Sequence, residues 1–109
     1  MARTPSSTDY QVQVDGLGSF TFGRRTMRDE FAIAAEYSRL TEGVQTPTDF
    51  LRIFATAFST IRAMQVSSPN GWDVEKLDPV DEDASFAQMM SVYDAIRAKE
   101  ADFRVKPKE

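Results

Sequence analysis

The chain contains no cysteine and no histidine. Those two absences remove disulfide scaffolds, thiolate and imidazole zinc sites, Ser-His and Cys-His nucleophilic catalysis, and the side chain that normally moves protons near pH 7. No run approaches the roughly 20 consecutive apolar residues of a membrane span, and no basic segment leads into an apolar stretch at the N-terminus. A cytoplasmic protein without a membrane partner is expected. Positive charge is in deficit as well, with thirteen Lys and Arg against seventeen Asp and Glu and a formal charge of -4. Without the excess basicity that neutralises phosphates, nucleic acid is not an expected partner. Gly16 and Gly18 lack the following Gly and Lys of a phosphate-binding loop, so no nucleotide cofactor is implied.

What is present points to one small domain. The 109 residues suit a single ordinary domain, and 41% hydrophobic with 28% charged residues can build a modest core. Fibrous, collagen-like and wholly disordered chains are excluded on that composition. Residues 1–8 are polar, include Pro5 and have nothing to bury, so they read as a disordered tail. Residues 106–109 read as a short polar tail, leaving 9–105 as the globular domain. From Asp9 the pattern alternates strictly, with Tyr10, Val12 and Val14 on one side and Gln11 and Gln13 on the other. Asp15-Gly16-Leu17-Gly18 supplies a turn, and Phe20 and Phe22 resume the alternation, which predicts a β-hairpin. Two strands alone are marginal in water, so their apolar face has to cover helices of the chain or meet another subunit.

Three helix starts follow, each with a hydroxyl residue and an acid or amide three positions later: Thr26 with Asp29, Thr46 with Asp49, and Ser85 with Gln88. Pro47 as the first helical residue strengthens the second. The first helix carries Met27, Phe31, Ala34 and Ala35 at helical spacing and should end near Gly43. The second carries Phe50, Leu51, Phe54, Ala57, Phe58, Ile61 and Met64, the densest aromatic face in the chain, which suggests a central helix ending before Ser67. The third carries Phe86, Met89, Met90, Tyr93, Ile96 and Phe103, with Pro107 closing any continuation. Between the last two lies a long connection, Ser67 to Ala84, in which Trp72 and Leu77 are the expected anchors. The fold class expected is α+β: a mostly helical single domain with an N-terminal β-hairpin and about three α-helices.

Asp73, Glu75, Asp78, Asp81, Glu82 and Asp83 make the connection acidic, but an EF-hand loop starting at Asp78 would place Asp83 at its glycine position and Met89 at its closing glutamate, so no metal site is assigned. The acids lie side by side with no apolar surroundings to raise a pKa, and no catalytic residue is assigned either. Arg24, Arg25 and Arg28 bracket the start of the first helix. They offer a contact for an anion or an acidic partner, or pair with Asp29, Glu30 and the acidic connection. Phe50, Phe54, Phe58 and Met64 on the second helix, with Met89 and Met90 on the third, have core spacing. Methionine is also adaptable and recurs where a surface accepts amphipathic helices, so these six residues are the groove candidates for a protein partner.

Three blocks taken together resemble a known family. Gly23-Arg24-Arg25-Thr26-Met27-Arg28-Asp29-Glu30 after the hairpin, Gly71-Trp72-Asp73 with Leu77-Asp78-Pro79, and Val92-Tyr93, Ile96-Arg97, Glu100 and Phe103-Arg104 are similar to small tail assembly chaperones of long-tailed bacteriophages and prophages. The resemblance spans about nine tenths of the chain. It implies a non-enzymatic protein of the host cytoplasm that needs no cofactor and acts while the tail is built. Its implied partner is the tape measure protein, a long helical chain whose apolar faces would aggregate before tail tube subunits polymerise around it. Tail tube subunits and a second copy of the chain are further partners this reading allows. Two other functions stay open at this point: a structural neck or tail-completion protein retained in the virion, joined through the hairpin edge, and a small acidic inhibitor or adaptor docking on a basic host protein.

Overall fold

The computed structural model describes residues 3–81 and 84–104. The alternating segments form β1, Tyr10–Val14, and β2, Gly18–Phe22, paired antiparallel with Tyr10 opposite Phe22 and Val12 opposite Phe20. That register puts Tyr10, Val12, Val14, Phe20 and Phe22 on one face, and Phe20 and Phe22 are fully buried. At Gly18 φ is +126°, and a Cβ there would stand 2.9 Å from the Pro69 Cβ, so only glycine fits.

The hairpin has a third strand that the alternation did not reveal. Helix α2, Asp49–Met64, runs directly into β3, Gln65–Ser67, which pairs antiparallel with β2 to give the order β1-β2-β3. The helix stops because Gln65 takes extended dihedrals, and the Met64 carbonyl accepts from the Gly23 amide at 2.9 Å. Three residues are too few to display a period of two.

The first helix, α1, spans Met27–Leu40 and has the expected cap: Thr26 accepts from the Asp29 amide, and the Asp29 carboxylate accepts from the Thr26 amide. The other two starts are corrected. Thr48, not Thr46, caps α2, accepting from Leu51 N at 3.1 Å. Thr48 is extended, so Pro47 precedes the cap instead of opening the helix. The third helix, α3, spans Ser85–Arg104, and Ser85 lies within it. Its hydroxyl donates to the Asp78 carbonyl at 3.0 Å, and Gln88 accepts from the Trp72 indole at 3.1 Å. The residues expected to cap α3 instead tie it to the preceding connection.

The core lies between the inner face of the sheet and the two longer helices: Tyr10, Val14, Phe20 and Phe22 meet Ile61 and Met64 of α2 and Val92 and Ile96 of α3. Trp72 packs edge-on against Phe20 with ring centroids 5.2 Å apart, and Leu77 packs on the core, so both expected anchors hold the connection. Buried Val74 adds a third. Two of the acids here serve as turn acceptors. Asp78 accepts from the Val80 and Asp81 amides, which hold its carboxyl below the usual range, and Asp73 accepts from the Glu75 amide. The stripe expected on α1 buries nothing fully; only Ile33 packs against the core, while Met27 and Phe31 are 67% and 68% exposed.

One ion pair crosses the whole fold. The Arg25 guanidinium donates to both carboxylate oxygens of Glu100, at 2.7 and 3.1 Å, and also to Glu30 at 2.6 Å. Glu100 is buried. Beside it the Arg24 guanidinium sits 3.9 Å over the Phe103 ring, which itself meets Tyr10 edge-on. The N-terminal segment, expected as a tail, joins this knot at Arg3. Its backbone amide donates to Gln65 O on β3, and its guanidinium donates to Asp29 and to the Arg24 carbonyl. Burial works to raise the Asp29 pKa, but the hydrogen bonds from Arg3 and Thr26 outweigh it and hold the carboxyl below its ordinary value. Residues 1, 2, 82, 83 and 105–109 lie outside the described residues, and with them the expected polar tail 106–109 and Glu82 and Asp83 of the acidic connection.

Glu100→Ala should lower stability to urea by about 3 kcal/mol, because it leaves the half-buried Arg25 guanidinium with only the exposed Glu30 carboxylate as partner. Replacing both partners, Arg25→Met with Glu100→Leu, should recover most of that loss. The Tyr10 hydroxyl is buried with no hydrogen-bond partner among the described residues, and burial first, then the Glu100 charge, pushes its pKa up to about 12. An unfolded tyrosine ionises near pH 10. The contribution of Tyr10 is therefore complete below pH 10 and is lost as pH rises through about 12. Tyr10→Phe should match or exceed the parent at neutral pH and show less destabilisation at alkaline pH, followed by circular dichroism melts.

Candidate functional site

The first turns of α2 and α3 meet at one corner of the molecule. Phe50, Phe54 and Phe86 pack there as a triangle of rings, with centroids 4.8, 5.4 and 5.0 Å apart in tilted and edge-on arrangements. Such a cluster in a core would be sealed. Here Phe50 is 57% exposed, Phe86 39% and neighbouring Ile53 46%. Geometry of this kind holds the rings in place through their mutual contacts while leaving their outer faces wet. A preformed apolar surface of rigid aromatics is what a protein-binding hot spot requires.

The six groove candidates divide three ways. Phe50 and Phe54 form the corner. Phe58 and Met89 are half-buried and pack against the core, and Met90, also half-buried, stands one helical turn after Phe86. Met64 is fully buried between the sheet and the helices, so it is a core residue and lines no groove. Its position in the last turn of α2, where the helix dives under β2, explains why helical spacing alone could not separate it from the others.

The basic candidates are also redistributed. Arg25 is taken up by Glu100 and Glu30, while Arg24 and Arg28 are both exposed, the former lying over the Phe103 ring. Phe86 and Ile53 belong to the corner and were not among the sequence candidates. The available signal was positional: Phe50 and Phe86 both sit at the second residue of their helices, where the chain has only begun to approach the core.

Other features do not compete with this corner. The concavity beside Trp72, about 270 Å³, is bordered by Arg62 and Glu75, which pair with each other at 3.0 Å. Among the described residues no three acidic side chains converge as metal ligands would, and no helix is long and apolar enough to cross a membrane. No family model, curated protein or solved structure matches the chain.

The corner and the core should separate cleanly in mutants. Phe50→Ser with Ile53→Ser should leave the stability to urea within about 1 kcal/mol of the parent, as two substitutions at largely exposed positions do, and should reduce binding of a hydrophobic dye. Met64→Ala should cost about 2–5 kcal/mol through the cavity it opens.

Proposed function

We propose that the chain is a tail assembly chaperone of the long-tailed phage type, which binds the tape measure protein in the host cytoplasm and keeps it soluble until the tail tube forms around it. The observation that carries this reading is the corner of Phe50, Phe54 and Phe86, in which Phe50, Phe86 and neighbouring Ile53 are exposed and Phe54 is half-buried. A long helix with an apolar stripe presents side chains at i, i+3, i+4 and i+7, and a small rigid aromatic surface covers one repeat of such a stripe. Many copies along one helix would cover it all, and the net charge of -4 on each would keep the complex dispersed. Binding of this kind needs no catalytic group, in keeping with a chain that lacks His and Cys.

One observation favours a second reading, a neck or tail-completion protein that stays in the particle. In the order β1-β2-β3, β1 is an edge strand, and an edge can add a strand from a neighbouring subunit. The acidic decoy reading is weaker, since Asp73 and Asp78 are engaged as turn acceptors and Glu75 pairs with Arg62.

Co-expression decides between them. The chain should raise the soluble fraction of the tape measure protein of the same genome several-fold, and Phe50→Ser with Phe86→Ser should abolish that effect while the chain itself stays folded. An unchanged soluble fraction, or recovery of the chain as a stoichiometric component of purified particles, would count against the chaperone reading.

A further inference from the structure

Further along the two helices that carry the corner lies a cleft with different chemistry. Helices α1 and α3 both pack on α2, and between them lies a cavity of about 440 Å³. Thr56 and Thr60 of α2, Ile33 and Tyr37 of α1, and Tyr93 and Arg97 of α3 line it. The two sites share helix faces. Ile53, Thr56 and Thr60 follow at i, i+3 and i+7 on α2, and Phe86, Met90, Tyr93 and Arg97 at i, i+4, i+7 and i+11 on α3. From Phe86 to Arg97 the rise along α3 is about 16 Å, or three turns. A helix seated on the corner and lying along α3 would reach the cleft two to three turns later.

Of the polar groups lining the cleft, Arg25, Glu30 and Thr56 are paired within the protein, while exposed Arg97 and several hydroxyls have no partner among the described residues. Arg97 has no carboxylate within ion-pairing distance among the described residues, whereas Arg3, Arg25, Arg39, Arg52 and Arg62 all do. Thr60 is only 2% exposed, yet its hydroxyl makes no hydrogen bond among the described residues. Its neighbours behave differently, for the Thr56 and Ser59 hydroxyls donate back to the Arg52 and Ala55 carbonyls at 2.7 Å. The hydroxyls of Tyr37 and Tyr93 likewise have no partner there. At the inner end Arg25 is fixed and neutralised by Glu30 and Glu100. The cleft therefore presents one unpaired guanidinium and three hydroxyls able to donate, inside a molecule whose net charge is negative.

We infer that this cleft reads an acidic side chain on the partner helix, two to three turns from the apolar residues that occupy the corner, with Arg97 as the specificity-determining residue. The inference rests on the corner being a helix-docking surface, and it adds which helices dock. A carboxylate in the cleft accepts from Arg97 and from the hydroxyls around it, and hydrogen bonds to a charged group are among the stronger ones a protein makes. A lysine at the same place can donate to the hydroxyls but meets the like charge of Arg97. The overall negative charge repels acidic helices at long range, so the preference is set by contact and not by steering.

The test uses model amphipathic helices sharing one Leu-Phe anchor pair and carrying a single Glu, Gln or Lys seven to eleven residues to either side, titrated against the full chain by fluorescence anisotropy. With the Glu on the side that reaches the cleft, binding should be about tenfold tighter than with Lys, the fold-change of one charge-assisted hydrogen bond. Arg97→Glu should invert the order and Arg97→Gln abolish it. Phe50→Ser should weaken all the peptides alike, and unchanged melting temperatures would show that each variant folds. Equal binding of the three peptides, binding of none, a preference that survives Arg97→Glu, or a dimer that Arg97→Glu dissociates would overturn the inference. The two readings fail separately: peptide selectivity without tape measure solubilisation sinks the chaperone reading, and solubilisation indifferent to Arg97 sinks this one.

Discussion

The fold is tied together by Arg25. Its guanidinium reaches the buried carboxylate of Glu100 near the end of α3 and the exposed one of Glu30 in the first turn of α1. It leaves β2 through Gly23, whose amide bonds the last carbonyl of α2. Hairpin, first helix, second helix and third helix thus meet within one hydrogen-bonded knot. Arg24 over Phe103 and Arg3 on Asp29 complete it on either side. A buried ion pair adds little net stability over an apolar pair of equal shape, but it tolerates few alternative arrangements. In this small domain, where α1 buries no side chain completely, that restriction sets where α1 sits. The floor and walls of the α1, α2 and α3 cleft follow from it.

Stability and binding surface are separated along the helices. The C-terminal half of α2 and the middle of α3 supply Ile61, Met64, Val92 and Ile96 to the core against the sheet, while their N-terminal turns carry Phe50, Ile53 and Phe86 into solvent. Amphipathic helices anchored at one end leave an apolar end uncovered. Three aromatic rings packed on one another lower the conformational freedom that such residues would otherwise lose on meeting a partner.

Most of the architecture could be read from residue order. Alternation from Tyr10 to Phe22 gave the hairpin with its faces correctly assigned, and Thr26 with Asp29 gave the start of α1. What escaped was set by tertiary geometry. Strand β3 is too short to show a period and exists because Gln65 turns extended beneath β2. Thr48 displaced Thr46 as a cap on the strength of one backbone conformation. Ser85 and Gln88 had the right spacing for a cap but were drawn into contacts with Asp78 and Trp72. For the site, spacing marked a single stripe on α2 holding both Phe50 and Met64. Only the tilt of the helix across the sheet separates an exposed ring from a buried thioether. Arg97, which no local pattern singles out, gains its meaning from two helices brought beside it.

The passage of α2 into β3 without a loop has a mechanical consequence. A helix joined to a sheet through a flexible connection can tilt without disturbing the strands, but here the backbone is continuous from Asp49 to Ser67, with the pairing of Phe22 and Gln65 at the join. Helix and strand are therefore one piece, with the aromatic corner at its start and the strand pairing at its end. The corner is held by Phe86 of α3 and the strand by Arg3, so the sixteen residues of the helix, about 24 Å, span two fixed points.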